Sequence, residues 1–138
     1  MRKEESNRIE KLSKWYLDQQ LDFDKKLIYY RYKTIKSQFV GNQCLELGPA
    51  EGQMTRYLIE DFDHLTVVEG SHELLNQIPN CKNLTKIHSL FEDFDPKITY
   101  DTIILEHVLE HVEDPYQLLR KIKTWLSPKG KIFIGVPN

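Results

Sequence analysis

Few cysteines, no long apolar run and no excess of one charge narrow what this sequence of 138 residues encodes. The cysteines, Cys44 and Cys81, lack C-x-x-C spacing and therefore predict neither a zinc site nor a disulfide framework. No run approaches the roughly 18 apolar residues of a membrane span, and no apolar stretch follows the charged amino terminus, as it would in a secretory signal. We therefore expect a cytoplasmic protein with free thiols and no membrane partner.

The charges are nearly balanced, with 19 Lys and Arg against 21 Asp and Glu. A net charge of −2 gives no electrostatic reason for a polyanion to bind, so we expect no nucleic acid partner. Hydrophobic residues make up 40% of the chain, which predicts one folded domain rather than a disordered segment.

Glycine and proline are absent from residues 1–38, where apolar side chains recur at helical spacing. This spacing is carried by Leu17, Leu21, Leu27, Tyr30, Ile35 and, just beyond, Phe39. We predict an N-terminal helical segment over residues 1–38 that packs on a core domain over residues 39–138.

From Gly41 onward, short apolar runs alternate with amphipathic ones, which predicts an α/β fold. The expected structure is a doubly wound, mostly parallel five-stranded sheet with helices on both faces. Asp114-Pro115 predicts the start of a helix through Leu126, and Ser127 to Gly130 predicts a turn before a strand over Lys131 to Val136.

The loop after the first predicted strand, Glu46 to Gly52, lies where open parallel sheets bind ligands. Its glycines allow a sharp turn and close approach of a ligand to the main chain. Because Glu46 and Glu51 are acidic, the loop suits an ammonium or sulfonium cation better than a pyrophosphate. Glu69 ends the second strand and is a candidate to accept both ribose hydroxyls; the alternative is a solvated carboxylate near a helix start.

Motifs in four places resemble the ordered motifs of class I S-adenosylmethionine-dependent methyltransferases, over about 100 residues. They are Leu45 to Gly52, Val68-Glu69-Gly70, Leu109 to Pro115 and Leu126 to Gly130. The resemblance implies a Rossmann-like fold, S-adenosylmethionine as cofactor and methyl transfer to oxygen or nitrogen of a small molecule.

The resemblance also implies a set of cofactor-binding residues. The Gly48 to Gly52 loop would hold the methionine part, Glu69 the ribose, and Glu106 and His107 would lie beside the sulfonium. The full set is Glu46, Gly48, Pro49, Ala50, Gly52, Glu69, Gly70, Ser71, Ser89, Leu90, Phe91, Glu106, His107 and Tyr30.

The sequence departs from the family pattern in three ways. Ala50 stands where the family commonly has glycine, so we expect φ below zero there, with the methyl group turned from the cofactor. Ser89 stands where an acid often meets the adenine. The family usually has two further strands, so we expect a C-terminally truncated domain whose open edge favours a homodimer.

His107, Glu110 and His111 have i, i+3 and i+4 spacing, which places them on one face if the segment is helical. A metal site there is an alternative, but a packing role for His111 is favoured and no metal is predicted. His107 is the candidate catalytic base, because imidazole titrates near neutrality and an oxygen or nitrogen acceptor must lose a proton.

Aromatic residues crowd the N-terminal segment, namely Trp15, Tyr16, Phe23, Tyr29, Tyr30 and Tyr32. Packing onto the domain is the favoured interpretation, while Tyr29 or Tyr30 is a candidate for cation–π contact with a sulfonium.

Two other functions compete with methyl transfer. A NAD-dependent dehydrogenase would share the acid at Glu69, but its Gly-x-Gly-x-x-Gly loop conflicts with Ala50 and Glu51. A non-catalytic nucleoside-binding or interaction module with the same fold is the other alternative.

Overall fold

The computed structural model describes residues 2–18 and 22–137, with side chains for residues 3–11 and 23–137. Its helices are α1 (Arg2–Asp18), α2 (Asp22–Ile35), α3 (Thr55–Asp61), α4 (His72–Gln77) and α5 (Pro115–Trp125), with 3-10 turns at Lys36–Gln38 and Leu109–His111. Its strands are β1 (Gln43–Leu47), β2 (His64–Glu69), β3 (Leu84–His88), β4 (Tyr100–Glu106) and β5 (Leu126–Gly135).

The strands form one parallel sheet in the order β3-β2-β1-β4-β5, so the α/β prediction is confirmed. The order reverses between β1 and β4, because the chain first winds outward from β1 through β2 to β3 and then returns to β4. Such a switch point opens a crevice at the carboxyl ends of the strands.

The core lies on both faces of this sheet because successive strand residues point to opposite sides. On one face Leu45, Leu47 and Leu105 pack with Ile122 and Trp125 of α5. The opposite face packs against α2, α3 and α4, and its buried residues include Cys44, Val67, Ile104, Leu58, Leu75 and Tyr32. The two packed faces fix the sheet, so the loops at its carboxyl edge hold defined positions.

The start of α5 follows the sequence prediction. Asp114 Oδ1 accepts a hydrogen bond from the Gln117 backbone N–H at 2.9 Å, and Pro115 lies in the first turn. The predicted turn over Ser127 to Gly130 is wrong, because β5 already begins at Leu126, which pairs with Tyr100. The register then shifts before Lys131 pairs with Thr102, so these residues form an irregular strand segment.

The predicted N-terminal helical segment consists of α1, α2 and the first 3-10 turn. Helix α2 is attached to α3, since Tyr32 stacks on Tyr57 and its hydroxyl donates to Asp61 Oδ2 at 2.5 Å. Lys36 forms an ion pair with the other Asp61 oxygen at 2.9 Å. Trp15 and Tyr16 lie outside the residues whose side chains are described. None of the helices described over residues 2–18 and 22–137 combines the length and apolar character of a membrane span.

Candidate functional site

A cavity of about 370 Å³ lies at the carboxyl ends of β1, β2 and β4, beneath α1 and α2. Small-molecule sites typically occupy roughly 300–1,000 Å³. From the sheet side the lining residues include Glu46, Gly48, Pro49, Ala50, Glu69, Gly70, Ser89, Leu90, Phe91, Glu106 and His107. The structure thus brings together most of the residues that the sequence predicted for cofactor binding.

The loop after β1 turns through left-handed backbone at Gly48 (φ 67°), Ala50 (φ 51°) and Gly52 (φ 89°). The expected φ below zero at Ala50 is therefore wrong, because the tight turn requires a left-handed residue there in spite of the methyl group. This conformation aims the Ala50 N–H at Glu69, whose Oε2 accepts it at 3.1 Å. At Gly48 a Cβ would lie only 2.9 Å from Val108 Cγ2.

Glu69 is 6% exposed, so the alternative of a solvated carboxylate is wrong. Its Oε1 accepts the Ser71 N–H at 2.9 Å, while the other oxygen accepts the Ala50 N–H. Burial raises the pKa of Glu69, and the hydrogen bonds from Ser71 and Ala50 oppose that rise. These contacts fix the carboxylate between the β1 loop and the start of α4.

Glu46 is buried in β1, and Thr55 at the start of α3 donates to its Oε2 at 2.6 Å. Burial raises its pKa to about 8, the Thr55 bond opposes this, and the negative charges of Glu69 and Glu106 raise it further. Carboxyl groups from the ends of three strands therefore face one cavity, and the charges of Glu69 and Glu106 disfavour the charged form of Glu46.

Glu106 ends β4 and is paired with Arg31 of α2, whose Nη1 lies 2.6 Å from Glu106 Oε1. Apart from this ion pair, Glu106 Oε1 makes no hydrogen bond with the described residues, and neither does His107 Nε2; both atoms are buried. The two atoms lie 3.6 Å apart. A Cβ at Gly135 would lie 2.1 Å from Glu106 Oε2, so glycine in β5 leaves room for this carboxylate.

His107 has φ 55°, a left-handed conformation that is strained for a residue with a side chain. Its N–H donates to the Gly135 carbonyl at 2.9 Å, which continues the β4–β5 ladder and holds the turn. His107 thus combines a strained backbone with a buried ring nitrogen that has no hydrogen-bond partner among the described residues, and it lines the cavity.

The residues of the alternative metal site lie near one another after β4. Glu110 Oε1 lies 4.0 Å from His107 Nδ1 and 3.9 Å from His111 Nε2. Among the described residues no group of three such side chains is arranged to hold a metal ion. Of the three, His107 and His111 line the cavity and Glu110 does not.

Three residues of the predicted cofactor set do not line the cavity. Gly52 lies behind the loop, where a Cβ would come within 3.0 Å of Ile78. Ser71 is buried and caps α4, accepting the Leu74 N–H at 3.2 Å. Tyr30 is 64% exposed and contacts Tyr29, so the structure does not bring it to the site.

Residues of α1 and α2 complete the cavity and were missed from the sequence. They are Glu5, Arg8 and Ile9 of α1, and Asp24, Lys25, Leu27, Ile28 and Arg31 of α2. No motif could have found them, because only the docking of these helices on the sheet brings their charged faces over the strand ends.

Residues 17–138 match the family model of a methyltransferase domain, and the chain belongs to this methyltransferase family. It is 29% identical over 102 residues to (S)-coclaurine N-methyltransferase of Thalictrum flavum subsp. glaucum, covering 68% of this chain and 28% of that protein. It is 25% identical over 116 residues to the ubiquinone biosynthesis O-methyltransferase of Coxiella burnetii, covering 78% and 50%. The chain thus spans half or less of these relatives.

Solved structures share the fold. A complex of DhpI with SAH has a TM-score of 0.79 at 17% identity, covering 95% of this chain and 66% of that one. Coclaurine N-methyltransferase bound to N-methylheliamine and SAH has a TM-score of 0.69 at 25% identity, covering 83% and 36%. These likenesses support the Rossmann-like methyltransferase fold expected from the sequence.

Proposed function

We propose that this chain binds S-adenosylmethionine at the carboxyl ends of β1, β2 and β4 and transfers its methyl group to oxygen or nitrogen of a small molecule. The observation that carries the proposal is the meeting of Glu46, Glu69 and Glu106 in one cavity. Acidic groups gathered in one cavity attract a cation, and both the sulfonium and the ammonium of this cofactor are cations.

The residues present fit the cofactor. The loop from Gly48 to Ala50 would hold the methionine part, since these residues line the cavity. Glu69 would accept ribose hydroxyls with its remaining lone pairs, and the segment from Ser89 to Phe91 would flank the adenine. Ser89 Oγ already donates to the Leu90 carbonyl at 2.8 Å, which leaves its oxygen free to accept from the adenine amino group.

The bound cofactor would supply a methyl group already activated by positive sulfur, so alignment of the acceptor is the main task of the protein. Helix α2 and the turn after β4 would shape the acceptor side of the cavity. His107 Nε2, which has no hydrogen-bond partner among the described residues, would accept the proton of an acceptor O–H or N–H. Val108 and Val112 line the cavity beside these groups and would help to exclude water.

Similarity to an N-methyltransferase and an O-methyltransferase supports small-molecule transfer without choosing between the acceptor atoms. A cytoplasmic location is proposed from the sequence and fits the two free cysteines. The division at residues 38 and 39 and a homodimer through the β5 edge likewise stay predictions.

Titration calorimetry with S-adenosylhomocysteine, S-adenosylmethionine and NAD tests the proposal. Both sulfur nucleosides should bind, whereas NAD should not bind. Glu73→Gln removes an exposed acid in the first turn of α4 and should bind both sulfur nucleosides as the wild type does. It controls for the loss of one negative charge in variants of the cavity acids. Absence of binding by both sulfur nucleosides would overturn the proposal, and tight NAD binding would favour a dehydrogenase instead.

A further inference from the structure

Helix α1 forms part of the cavity wall although the family match begins at residue 17, near the carboxyl end of this helix. Glu5, Arg8 and Ile9 all line the cavity. The resemblance to methyltransferases therefore assigns nothing to these residues, and their role has to be inferred from their contacts.

Gly70 is the position that explains why Ile9 lies where it does. It directly follows Glu69, is buried and lines the cavity, yet its φ is not left-handed, so the backbone does not require glycine there. A Cβ at position 70 would lie 2.9 Å from Ile9 Cδ1 and 3.3 Å from Ile9 Cγ2. Ile9 thus fills the space that a side chain at position 70 would occupy.

Leu90 approaches the same point from β3, since its Cδ2 would lie 3.6 Å from a Cβ at Gly70. Ile9 and Leu90 together form an apolar wall next to the predicted ribose acid, Glu69. A purine has two apolar faces, so such a wall beside a ribose site suits an adenine ring.

Polar contacts of the two residues that flank Ile9 fix its position in the cavity wall. Glu10 Oε1 accepts the His72 N–H at 3.0 Å, and Glu10 Oε2 accepts the Ser71 hydroxyl at 3.2 Å. Arg8 Nη2 donates to the His111 carbonyl at 2.5 Å. Helix α1 is therefore attached to the start of α4 and to the turn after β4, with Ile9 between these attachments.

We propose that Ile9 is a cofactor-binding residue, which forms the adenine wall in place of a side chain at position 70, and that Glu10 is its positioning residue. This inference rests on the proposed function, because it assumes a nucleoside in the cavity. It follows that occupancy of the cavity and docking of α1 are coupled, since the same side chain contacts the ligand and the sheet domain.

Affinity for S-adenosylhomocysteine and hydrogen exchange of the full chain test this inference together. Ile9→Ala should weaken binding roughly 5- to 30-fold by removing apolar contact. Glu10→Gln should weaken binding less and should speed exchange of the His72 amide even without ligand. Glu4→Gln, an exposed acid of the same helix that does not line the cavity, should match the wild type in both measurements.

A double-mutant cycle distinguishes a direct effect of the apolar wall on binding from a general effect of disturbing α1. Gly70→Ala should weaken binding in the wild-type background, because its methyl group displaces Ile9, and should have little effect in the Ile9→Ala background. Equal weakening in both backgrounds, or normal affinity of Ile9→Ala, would overturn the inference while leaving the proposed function intact. If the wild-type chain binds no sulfur nucleoside, both fall together.

Discussion

The two ends of the same sheet use carboxyl groups in opposite ways. At the amino end, Asp101 of β4 accepts the Asn42 and Gln43 N–H groups at 2.9 and 3.1 Å and the Ser127 hydroxyl at 2.9 Å. Hydrogen bonds from Gln43 and Asn42 lower its pKa. At the carboxyl end, burial raises the pKa of both Glu46 and Glu69.

The difference follows from the supply of donors. The amino end joins strands through exposed turns, where backbone N–H groups converge on one carboxylate and favour its charge. At the carboxyl end the acids are removed from water and face one another across a cavity. One end therefore uses charge to stabilise the fold, whereas the other holds acids whose charged forms burial disfavours, which is expected of a ligand site.

The largest expected effect concerns Glu46 and pH. Its folded pKa of about 8 lies above the ordinary 4.5, so the native chain holds a proton that the unfolded chain releases. The resulting stability is complete below pH 4.5 and is lost as the pH rises through 8. Glu46→Gln should remove this loss and be more stable than the wild type at pH 8, on the order of 2 to 4 kcal/mol.

Urea unfolding from pH 5 to 8.5 measures this difference, with Glu73→Gln as the control for loss of an exposed acid. Parallel pH profiles of wild type and Glu46→Gln would show that Glu46 is charged in the free protein. In that case the proposed contrast between the two sheet ends would not extend to β1.

Glu69→Ala tests the proposed role of the carboxyl end in binding. It removes the acceptor of the Ala50 and Ser71 N–H groups together with the proposed ribose contact. We expect affinity for S-adenosylhomocysteine to fall by about 1 to 3 kcal/mol, as measured by calorimetry. Unchanged affinity would remove the ribose assignment.

Asp101→Ala should have the converse effect at the amino end. Loss of its acceptors for Asn42, Gln43 and Ser127 should destabilise the fold by about 1 to 2 kcal/mol in urea unfolding. Affinity for S-adenosylhomocysteine should match the wild type. A fall in affinity as large as that of Glu69→Ala would mean that the two ends are not independent.

The smallest expected effect concerns backbone strain in the β1 loop. Because Ala50 has φ 51°, Ala50→Gly should relieve left-handed strain and stabilise the chain by about 0.5 to 1 kcal/mol in thermal or urea unfolding. Destabilisation by Ala50→Gly would show that the methyl group packs favourably enough to outweigh the strain.

Most strands and helices could be predicted from the sequence, because the local sequence patterns favour the same structures that tertiary packing stabilises. Short β-branched runs such as Thr102 to Leu105 favour buried strands, and this run lies in β4. Asp114-Pro115 favours a helix start, and α5 begins there. The prediction of a turn at Ser127 to Gly130 was wrong, because pairing of Leu126 with Tyr100 extends β5 through these residues in spite of Pro128 and Gly130.

The site was predictable only where a motif lies at the end of a strand. Glu69 and Glu106 end apolar runs and Glu46 lies next to the end of one, and parallel strands bring such ends to one edge. Ile9 and Arg31 belong to no such motif. A helix with the same composition that faced only solvent would have the same sequence pattern, so the sequence does not show that these residues line a cavity.

By itself the sequence determined the order of strands and helices, the acidic strand ends and the glycines of the β1 loop. These features depend on side-chain period and backbone conformation, which are local properties. Tertiary structure alone decided that Ala50 is left-handed, that Tyr30 faces outward and that Ile9 lies over Gly70. Each of these depends on which surfaces meet when α1, α2 and the sheet pack, and such contacts join residues far apart in the chain.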